Sequence, residues 1–366
     1  MQKKPSRYLV SRRAFIGASG AILTGLPKAR AGTPDTVRIG IPRVFDATGN
    51  PVDASGTLGP VTLDLLNKAV AAQGTRVDWR YFINAGPDIN QAFAAREIDL
   101  ALYGDFPAVI ARAAGLDIRL VLPASRGAND SYLVVPTASP FRTVEDLKGH
   151  KLALNVGRPW TLAFARFLRQ KNLSLSDFQV HNLVMSDGDA AVASGHVDGQ
   201  VTLNGLTLQA RGLARVIWST AEEPLSWKFG TGLFGQQDFL QHHAELTQQI
   251  VTALVKGAYF YAQPENRQAY LDIAAVTRNL PPQLREQAWA NKSLNVVLSP
   301  LFDDYIVQHY RDVSQFAFDS HLIRHTVAPD DLLDKRFVHK ALAEQSEQVF
   351  WPVLNADGQA ATSKTP

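Results

Sequence analysis

The sequence predicts an α/β protein with two lobes, between which the chain crosses twice. Short apolar strands alternate with helical patterns over residues 37–122, and the same alternation restarts over 131–218 after a break. Strands that alternate with helices are typical of βαβ units and of a parallel sheet in each lobe. The chain has 366 residues, which is enough for two domains of ordinary size.

The first series begins at the apolar strand Val37–Ile41. Apolar residues at helical spacing after Val61, and the Gly115 that ends a later apolar stretch, mark the helices. We predict strands at 37–41, 77–82, 98–102 and 118–122, and helices at 61–70, 89–96 and 107–114.

The second series repeats this order and is followed by a helical region. We predict strands at 131–136, 151–156, 178–184, 199–203 and 215–218, and helices at 143–147, 161–171 and 187–194. We predict a strand at 232–235 and helices at 238–262, 264–275, 281–291 and 300–319, with a frayed tail after Leu354. The crossings are expected near 124–131 and 219–231, and ligands of such sheets bind beyond the carboxyl ends of the strands.

Composition excludes several kinds of chemistry. The chain contains no Cys, so it has no disulfide, thiolate nucleophile, Cys-ligated metal or lipidated Cys. Seven of the 37 basic residues lie in 1–31, which contain no acid, so the remaining 30 basic and 34 acidic residues give a net charge of −4. This acidic body does not indicate a nucleic-acid-binding protein.

The first 31 residues have the pattern of an export signal. Arg12 and Arg13 precede a short, Gly-containing apolar stretch, and Ala29-Arg30-Ala31 fits a cleavage site. The paired arginines indicate the twin-arginine route, and the apolar stretch is too short to span a membrane. We expect a mature chain that begins near Gly32 outside the cytoplasm.

No catalytic or metal-ligating pattern emerges. The letters of Gly230–Gly235 match a dinucleotide fingerprint, but no buried strand precedes them and no acid follows at the required distance. His321 and His325 have helical spacing without a third ligand, and His242-His243 lies on a polar helix face. We therefore predict no metal, no cofactor and no catalytic residue.

Two strand-to-helix junctions are more informative. Tyr103–Pro107, in which we expect Asp105 as N-cap, and Asn155–Thr161 each place Pro in the first turn of a helix. The free N–H groups of such a turn and the helix dipole stabilise an anion. Arg158 would add a charge-assisted contact to a sulfonate or carboxylate, and Trp160 would stack on an organic tail. Ordinary capped turns, with Arg158 in solvent and Trp160 in the core, are the alternative.

Several segments resemble the periplasmic solute-binding proteins of ABC importers for sulfonates, taurine and nitrate. The resemblance covers roughly residues 36–342. It is carried by Gly86–Asp99, Gly104–Pro107, Ala111–Gly115, Thr143–Lys151 ("DLKGK"), Asp189–Asp198 ("A-x-x-x-G-x-V-D-A"), Phe239–Asn266 and Ser314–Leu342.

The resemblance implies a two-lobed Venus-flytrap fold that binds a small organic anion in the interlobe cleft and delivers it to an ABC permease in the inner membrane. It implies a signal at 1–31, lobe 1 at 34–125 plus 226–345, lobe 2 at 126–225, and a tail at 346–366. The ligand contacts that it implies are Arg43, Asp105, Phe106, Asn129, Arg158, Trp160, Thr161, Asn204 and Trp227, with Lys228 also at the return crossing.

The family pattern is not followed everywhere. Many sulfonate binders have a Gly/Ser-rich turn where this chain has Arg158–Trp160, and a Trp-x-Pro-like segment where it has Leu203–Gly205. The stretch 44–59 is also longer than is usual in that family. These differences leave the identity of the ligand open between a larger or aromatic sulfonate and a nitrile-, amide- or pyrimidine-like solute.

We expect a periplasmic monomer that is not an enzyme. An exported enzyme on the same fold and a ligand-sensing subunit of a membrane sensor are the alternatives. The related desulfinases need a Cys nucleophile, and the pyrimidine synthases need a Cys/His cluster, which are both absent here.

Overall fold

Two separate β-sheets organise the chain in this computed structural model, which describes residues 32–45, 51–53, 57–276, 280–344 and 350–361. The strands are β1 (Thr36–Phe45), β2 (Pro51–Asp53), β3 (Arg76–Phe82), β4 (Leu100–Gly104), β5 (Ile118–Arg126), β6 (Tyr132–Pro136), β7 (Lys151–Ala153), β8 (Gln179–His181), β9 (Gly199–Thr202), β10 (Ala214–Ser219) and β11 (Gly230–Gln236). The predicted export signal at 1–31 lies outside the described residues.

Helices cover both sheets. They are α1 (Pro60–Ala71), α2 (Gly86–Ala94), α3 (Asp105–Ala113), α4 (Pro159–Gln170), α5 (Met185–Ala193), α6 (Gly205–Ala210), α7 (Gln237–His242), α8 (Ala244–Ala262), α9 (Arg267–Val276), α10 (Arg285–Trp289), α11 (Leu294–Val297), α12 (Asp304–Asp319) and α13 (Arg336–Ala343). The predicted helix at 238–262 is in fact two helices, because the chain turns at His243.

The first sheet belongs to lobe 1 and takes strands from both ends of the fold. Its order is β2-β1-β4-β11-β5, with β3 parallel to β1. Strand β11 runs antiparallel to both β4 and β5, so the prediction of a parallel sheet was wrong for this strand. The reason is topological: β5 leaves lobe 1 at one end of the sheet, and the returning chain enters at that same end.

The second sheet belongs to lobe 2 and has the order β10-β6-β9-β7-β8. Strands β7, β8 and β9 are parallel, whereas β6 is antiparallel to its neighbours β9 and β10. Two α/β lobes with two crossings are therefore confirmed. The exact lobe limits predicted above stay predictions.

Each sheet is buried on both faces, as expected for a layered α/β fold. In lobe 1, one apolar cluster joins the sheet to α1 and α8, and a second joins it to α2, α3 and α12. In lobe 2, α4 covers one face of the sheet, and α5 and α6 cover the other.

The glycines of Gly230–Gly235 serve packing in β11, the strand between β4 and β5. A methyl group on Gly232 would lie 2.2 Å from Leu120 Cδ1, and one on Gly235 would lie 2.7 Å from Leu100 Cδ2. These contacts explain the Gly-x-Gly spacing without a nucleotide, and the segment is a strand rather than a phosphate-binding loop.

The C-terminal segment is ordered where the structure describes it, so the prediction of a frayed tail after Leu354 was wrong for residues up to 361. Leu354 is buried, and its N–H donates to Asp303 Oδ2 at 3.0 Å. Further along, the Asn355 N–H donates to Gln359 O. A buried aromatic anchor, Trp351, and the Asp303 carboxylate therefore hold this segment.

One face of α4 also contacts lobe 1. Leu162 packs in the lobe 1 cluster between α3 and α12. One turn later, Arg166 Nη2 lies 3.0 Å from Asp312 Oδ2 on α12, and Nη1 donates to Ser226 O in the return crossing. The helix that fills the core of lobe 2 thus also holds the two lobes together.

We expect Gly232→Ala to lower the free energy of unfolding by about 1–3 kcal/mol, because the added methyl group overpacks the sheet against Leu120. Urea unfolding measures the change. Gly32→Ala is the control, since a methyl group at Gly32 meets no atom within 4 Å. Equal stability of the two variants would contradict the packing argument.

We expect Arg166→Ala to favour separation of the lobes in the ligand-free protein. A half-exposed ion pair contributes up to about 1 kcal/mol, so the ratio of closed to open molecules should fall up to about fivefold. Small-angle scattering should give a larger radius of gyration. The control is Arg169→Ala on the exposed side of α4. Identical scattering from both variants would show that the contacts of Arg166 do not hold the lobes together.

Candidate functional site

The loops after β4 and β7 meet between the lobes. Both follow the carboxyl ends of parallel strands, where open α/β sheets bind ligands. A methyl group on Gly104, at the end of β4, would lie 3.2 Å from Pro159 Cγ at the start of α4. The two predicted strand-to-helix junctions are therefore neighbours across the cleft.

The carboxylate of Asp105 neutralises the positive end of the α3 dipole and is itself buried in the protein. Its carboxylate accepts hydrogen bonds from the backbone N–H groups of Phe106 and Gly230 and lies 2.6 Å from His309 Nε2. The residue is 1% exposed, and Gly104, not Asp105, is the N-cap. The contacts of Asp105 thus join β4, β11 and α12, and the expected N-cap role was wrong.

Phe106 also points into the protein. It is 1% exposed and its ring packs at 5.8 Å from that of Phe316 on α12. This residue belongs to the lobe 1 core rather than to the cleft surface, because the first turn of α3 directs it toward α12.

Arg158 reaches across the cleft. Its Nε donates to Asn155 Oδ1 at 2.6 Å in lobe 2, and its Nη1 donates to Asn84 O at 3.0 Å in lobe 1. Burial lowers the pKa of the guanidinium, and Asp88 partly offsets this. Within the described residues, Nη2 makes no hydrogen bond. The alternative of a solvated Arg158 does not agree with these contacts.

The two residues after Pro159 lie at the base of this loop. Trp160 packs against Phe229 of the return crossing, with ring centroids 6.3 Å apart, and its buried Nε1–H finds no acceptor among the described residues. Thr161 is buried, and its Oγ1 accepts from Arg158 N at 3.4 Å and lies 3.5 Å from Asn155 O. Thr161 therefore shapes the turn, whereas Trp160 carries an unsatisfied donor.

The crossings contribute two more predicted residues. Asn129 is half-buried, and its side chain makes no hydrogen bond to the described part of the chain. Trp227 is half-buried and packs on the lobe 2 core at the end of a short 3₁₀ turn. Both lie on segments that connect the lobes.

Arg43 and Asn204 come from the ends of β1 and β9, which neighbour β4 and β7 in their sheets. Arg43 lies near the end of β1, opposite Asp53 in the β1–β2 register. Asn204 follows β9 and donates to Asp189 Oδ2 at 2.7 Å, while Thr202 donates to Oδ1 at 2.8 Å. Burial raises the pKa of Asp189, and these donors counteract it.

Sequence reasoning missed a buried ionic cluster at the crossings. Asp130 Oδ1 lies 3.0 Å from Lys228 Nζ, and its Oδ2 lies 2.6 Å from Lys292 Nζ. The family resemblance places Lys228 at the return crossing, but nothing near Asp130 in the sequence indicates Lys292. His309 was missed for the same reason, because it lies 204 residues from its partner Asp105.

In the part of the chain that the structure describes, no three His, Asp or Glu side chains converge as they would around a metal ion. None of the helices there combines the length and the apolar character needed to cross a bilayer.

Comparisons with known proteins agree with this two-lobed fold. The family model "NMT1/THI5 like" matches residues 72–267, more than half of the chain. The crystal structure of the periplasmic sulfonate-binding protein SsuA of a sulfonate ABC transporter from Methylobacillus flagellatus KT is 33% identical, with a TM-score of 0.76, over 91% of this chain and 99% of that one.

Two curated relatives carry the name aliphatic sulfonates-binding protein. The one from Escherichia coli K12 is 36% identical over 124 residues, which are 34% of this chain and 39% of that protein. The one from Bacillus subtilis 168 is 24% identical over 280 residues, 76% of this chain and 82% of that protein. On the evidence of the family model and of the Methylobacillus structure, this chain belongs to the NMT1/THI5-like family and shares the two-lobed fold of its periplasmic binding proteins.

Proposed function

We propose that this protein is the extracytoplasmic receptor of an ABC importer, and that it binds a sulfonate-like organic anion between its lobes and delivers it to a membrane permease. The observation that carries the proposal is Arg158, a half-buried cation on lobe 2 that already contacts the backbone of lobe 1. The printed names of the relatives reported above support the sulfonate class.

The start of α4 supplies what a sulfonate needs. Its first turn contains no acid, so its N–H groups and dipole are not neutralised as those of α3 are by Asp105. The Nη2 of Arg158 and the buried Nε1–H of Trp160 are additional donors. A group with three acceptor oxygens would satisfy several of these donors at once.

Other predicted contacts have supporting or outer roles. We propose Asn129 and Trp227 as contacts from the crossings, and Arg43 and Asn204 as contacts from the ends of β1 and β9. Thr161 and Asp105 support the binding loops from behind, and Phe106 belongs to the core.

Binding and closure are coupled in this proposal. A solute that touches both lobes binds the closed form more tightly than the open form, and this difference in affinity shifts the population toward closure. The closed face is what a permease would recognise.

The site of action that fits this role is the periplasm. The relative from Methylobacillus is named a periplasmic protein, and the twin-arginine pattern at 12–13 supports export by that route. We further propose that the mature protein acts as a monomer, since one chain supplies both lobes.

Two other functions would use the same cleft. An exported enzyme would need a nucleophile or base there, yet the chain has no Cys and Asp105 is held by three donors. A subunit of a membrane sensor would bind the same ligand and differ only in its protein partner.

We expect Arg158→Ala to weaken sulfonate binding by about 1.5–3 kcal/mol, because a charged hydrogen bond is lost. Thr161→Ala should cost less, about 1 kcal/mol. Isothermal titration calorimetry measures both. Arg169→Ala is the matched control, since it removes an exposed arginine of α4 that lies in neither the proposed site nor the interlobe contact. Unchanged affinity in Arg158→Ala would remove Arg158 from the site.

The ligand class is tested by thermal shift on mature protein that has been partly unfolded and refolded to remove bound solute. The panel contains alkyl and aryl sulfonates, taurine, nitrate, carboxylates and pyrimidines. A ligand at about 100 times its Kd adds about 2.7 kcal/mol, which raises the midpoint by several degrees or less. A sulfonate hit without turnover is expected. A panel without any sulfonate response would refute the assignment, and product formation would favour the enzyme.

A further inference from the structure

Asn155 lies in the loop between β7 and α4, and its side chain has one fixed orientation. The amide is 2.6 Å from Arg158 Nε, which can only donate a hydrogen bond, so the amide atom that faces it is the oxygen Oδ1. The amide nitrogen Nδ2 is therefore turned away from Nε. Asn155 is half-buried, and Nδ2 makes no hydrogen bond within the described part of the chain.

The backbone beside this amide is held as well. The Asn155 carbonyl oxygen lies 3.5 Å from Thr161 Oγ1, and the Leu154 N–H donates to His181 O at 3.0 Å. These contacts join the loop to α4 on one side and to β8 on the other. The direction of Nδ2 is consequently set by the protein itself, so little conformational freedom is lost when a ligand accepts from it.

A second free donor lies next to this amide, on Arg158. In a guanidinium group, Nη2 and Nε share one edge, and here Nε is engaged by Asn155 Oδ1. Nη1 is engaged by Asn84 O, whereas Nη2 makes no hydrogen bond to any residue that the structure describes. The two free donors therefore flank the Nε–Oδ1 hydrogen bond, one on each residue. A group with two acceptor oxygens on one atom fits such a pair, as a carboxylate fits the fork of an arginine.

A neutral residue at position 155 leaves the charge of Arg158 available. Arg158 makes no ion pair with the described residues, since its partners are an amide oxygen and a backbone carbonyl. The carboxylate of Asp88 on α2 accepts from the backbone N–H and the Nδ2 of Asn84 instead. Because Arg158 is half-buried, its attraction for an anion is screened less than it would be at the surface.

We propose that Asn155 is a specificity-determining residue of the cleft, which donates from Nδ2 to the same anionic group as Arg158 Nη2 and, being neutral, keeps the positive charge of Arg158 for an oxyanion. This inference rests on the proposed function and extends it from Arg158 to a residue that both orients the guanidinium and contacts the ligand. An aspartate at this position would also hold Arg158, but it would cancel the charge and present an oxygen to the anion.

The substitutions Asn155→Ala and Asn155→Asp separate ligand contact from positioning. Calorimetry with 1-butanesulfonate measures the affinity of both variants and of the unsubstituted mature protein. We expect Asn155→Ala to bind about tenfold more weakly, because one hydrogen bond to a charged group is lost. Asn155→Asp should bind about a hundredfold more weakly, because the donor is lost and a negative charge faces the sulfonate.

The order of the two variants decides the inference. If Asn155 only positioned Arg158, the aspartate variant would bind as tightly as the alanine variant or more tightly, since a carboxylate also accepts from Nε. That result, or unchanged affinity in both variants, would overturn the inference. The thermal midpoint of Asn155→Asp should not fall below that of Asn155→Ala, and a lower midpoint would indicate a structural role and overturn it as well.

Asn182→Asp is the matched control on the neighbouring loop after β8. Asn182 is exposed, and its Oδ1 accepts from the Val156 N–H at 3.1 Å. The same substitution there keeps the acceptor and adds the same charge in solvent, so the affinity should change less than about threefold. Equal losses in the two aspartate variants would contradict the role of Asn155. If the unsubstituted protein binds no sulfonate, the proposed function fails instead, and the two results are distinguishable.

Discussion

The antiparallel pairing of β5 with β11 is the constraint on which the rest of the structure depends. It makes the chain leave and re-enter lobe 1 side by side, and the Gly127 N–H donates to Phe229 O where the two crossings begin. From this pairing follow the small residues of β11 and the meeting of Asp130 with Lys228. The two lobes can then differ in orientation only by bending these two adjacent segments.

The two helix starts at the cleft solve the same electrostatic problem in different ways. The start of α3 is neutralised by the buried carboxylate of Asp105, which in turn pairs with His309. The start of α4 carries Arg158 and no acid, so positive potential accumulates there instead of being cancelled. One junction is therefore occupied by the protein's own carboxylate, and the other is the anion site that we propose, although their sequences look alike.

Sequence patterns predicted which elements exist better than where their side chains point. Alternation and helical spacing located most strands and helices, because burial imposes a period on the sequence. The direction of β11 depends on a crossing that no local pattern records, and α6 was not predicted. Phe106 is buried because it packs on α12, about 200 residues farther along the chain. Lys292, which pairs with Asp130, is 162 residues away from it in the sequence. The family resemblance identified the cleft, but it did not distinguish contacts from supports.

Two arginines of α4 contact lobe 1 at different places, one at the proposed ligand site and one away from it. Arg158 contacts lobe 1 at the proposed ligand site, so its contribution to affinity includes its contribution to lobe contact. Arg166 contacts Ser226 and Asp312 two turns farther along. A ligand shifts the equilibrium only by its difference in affinity between the two forms. Protein contacts such as that of Arg166 set the starting ratio of the forms, and contacts such as that of Arg158 determine how far a solute moves it.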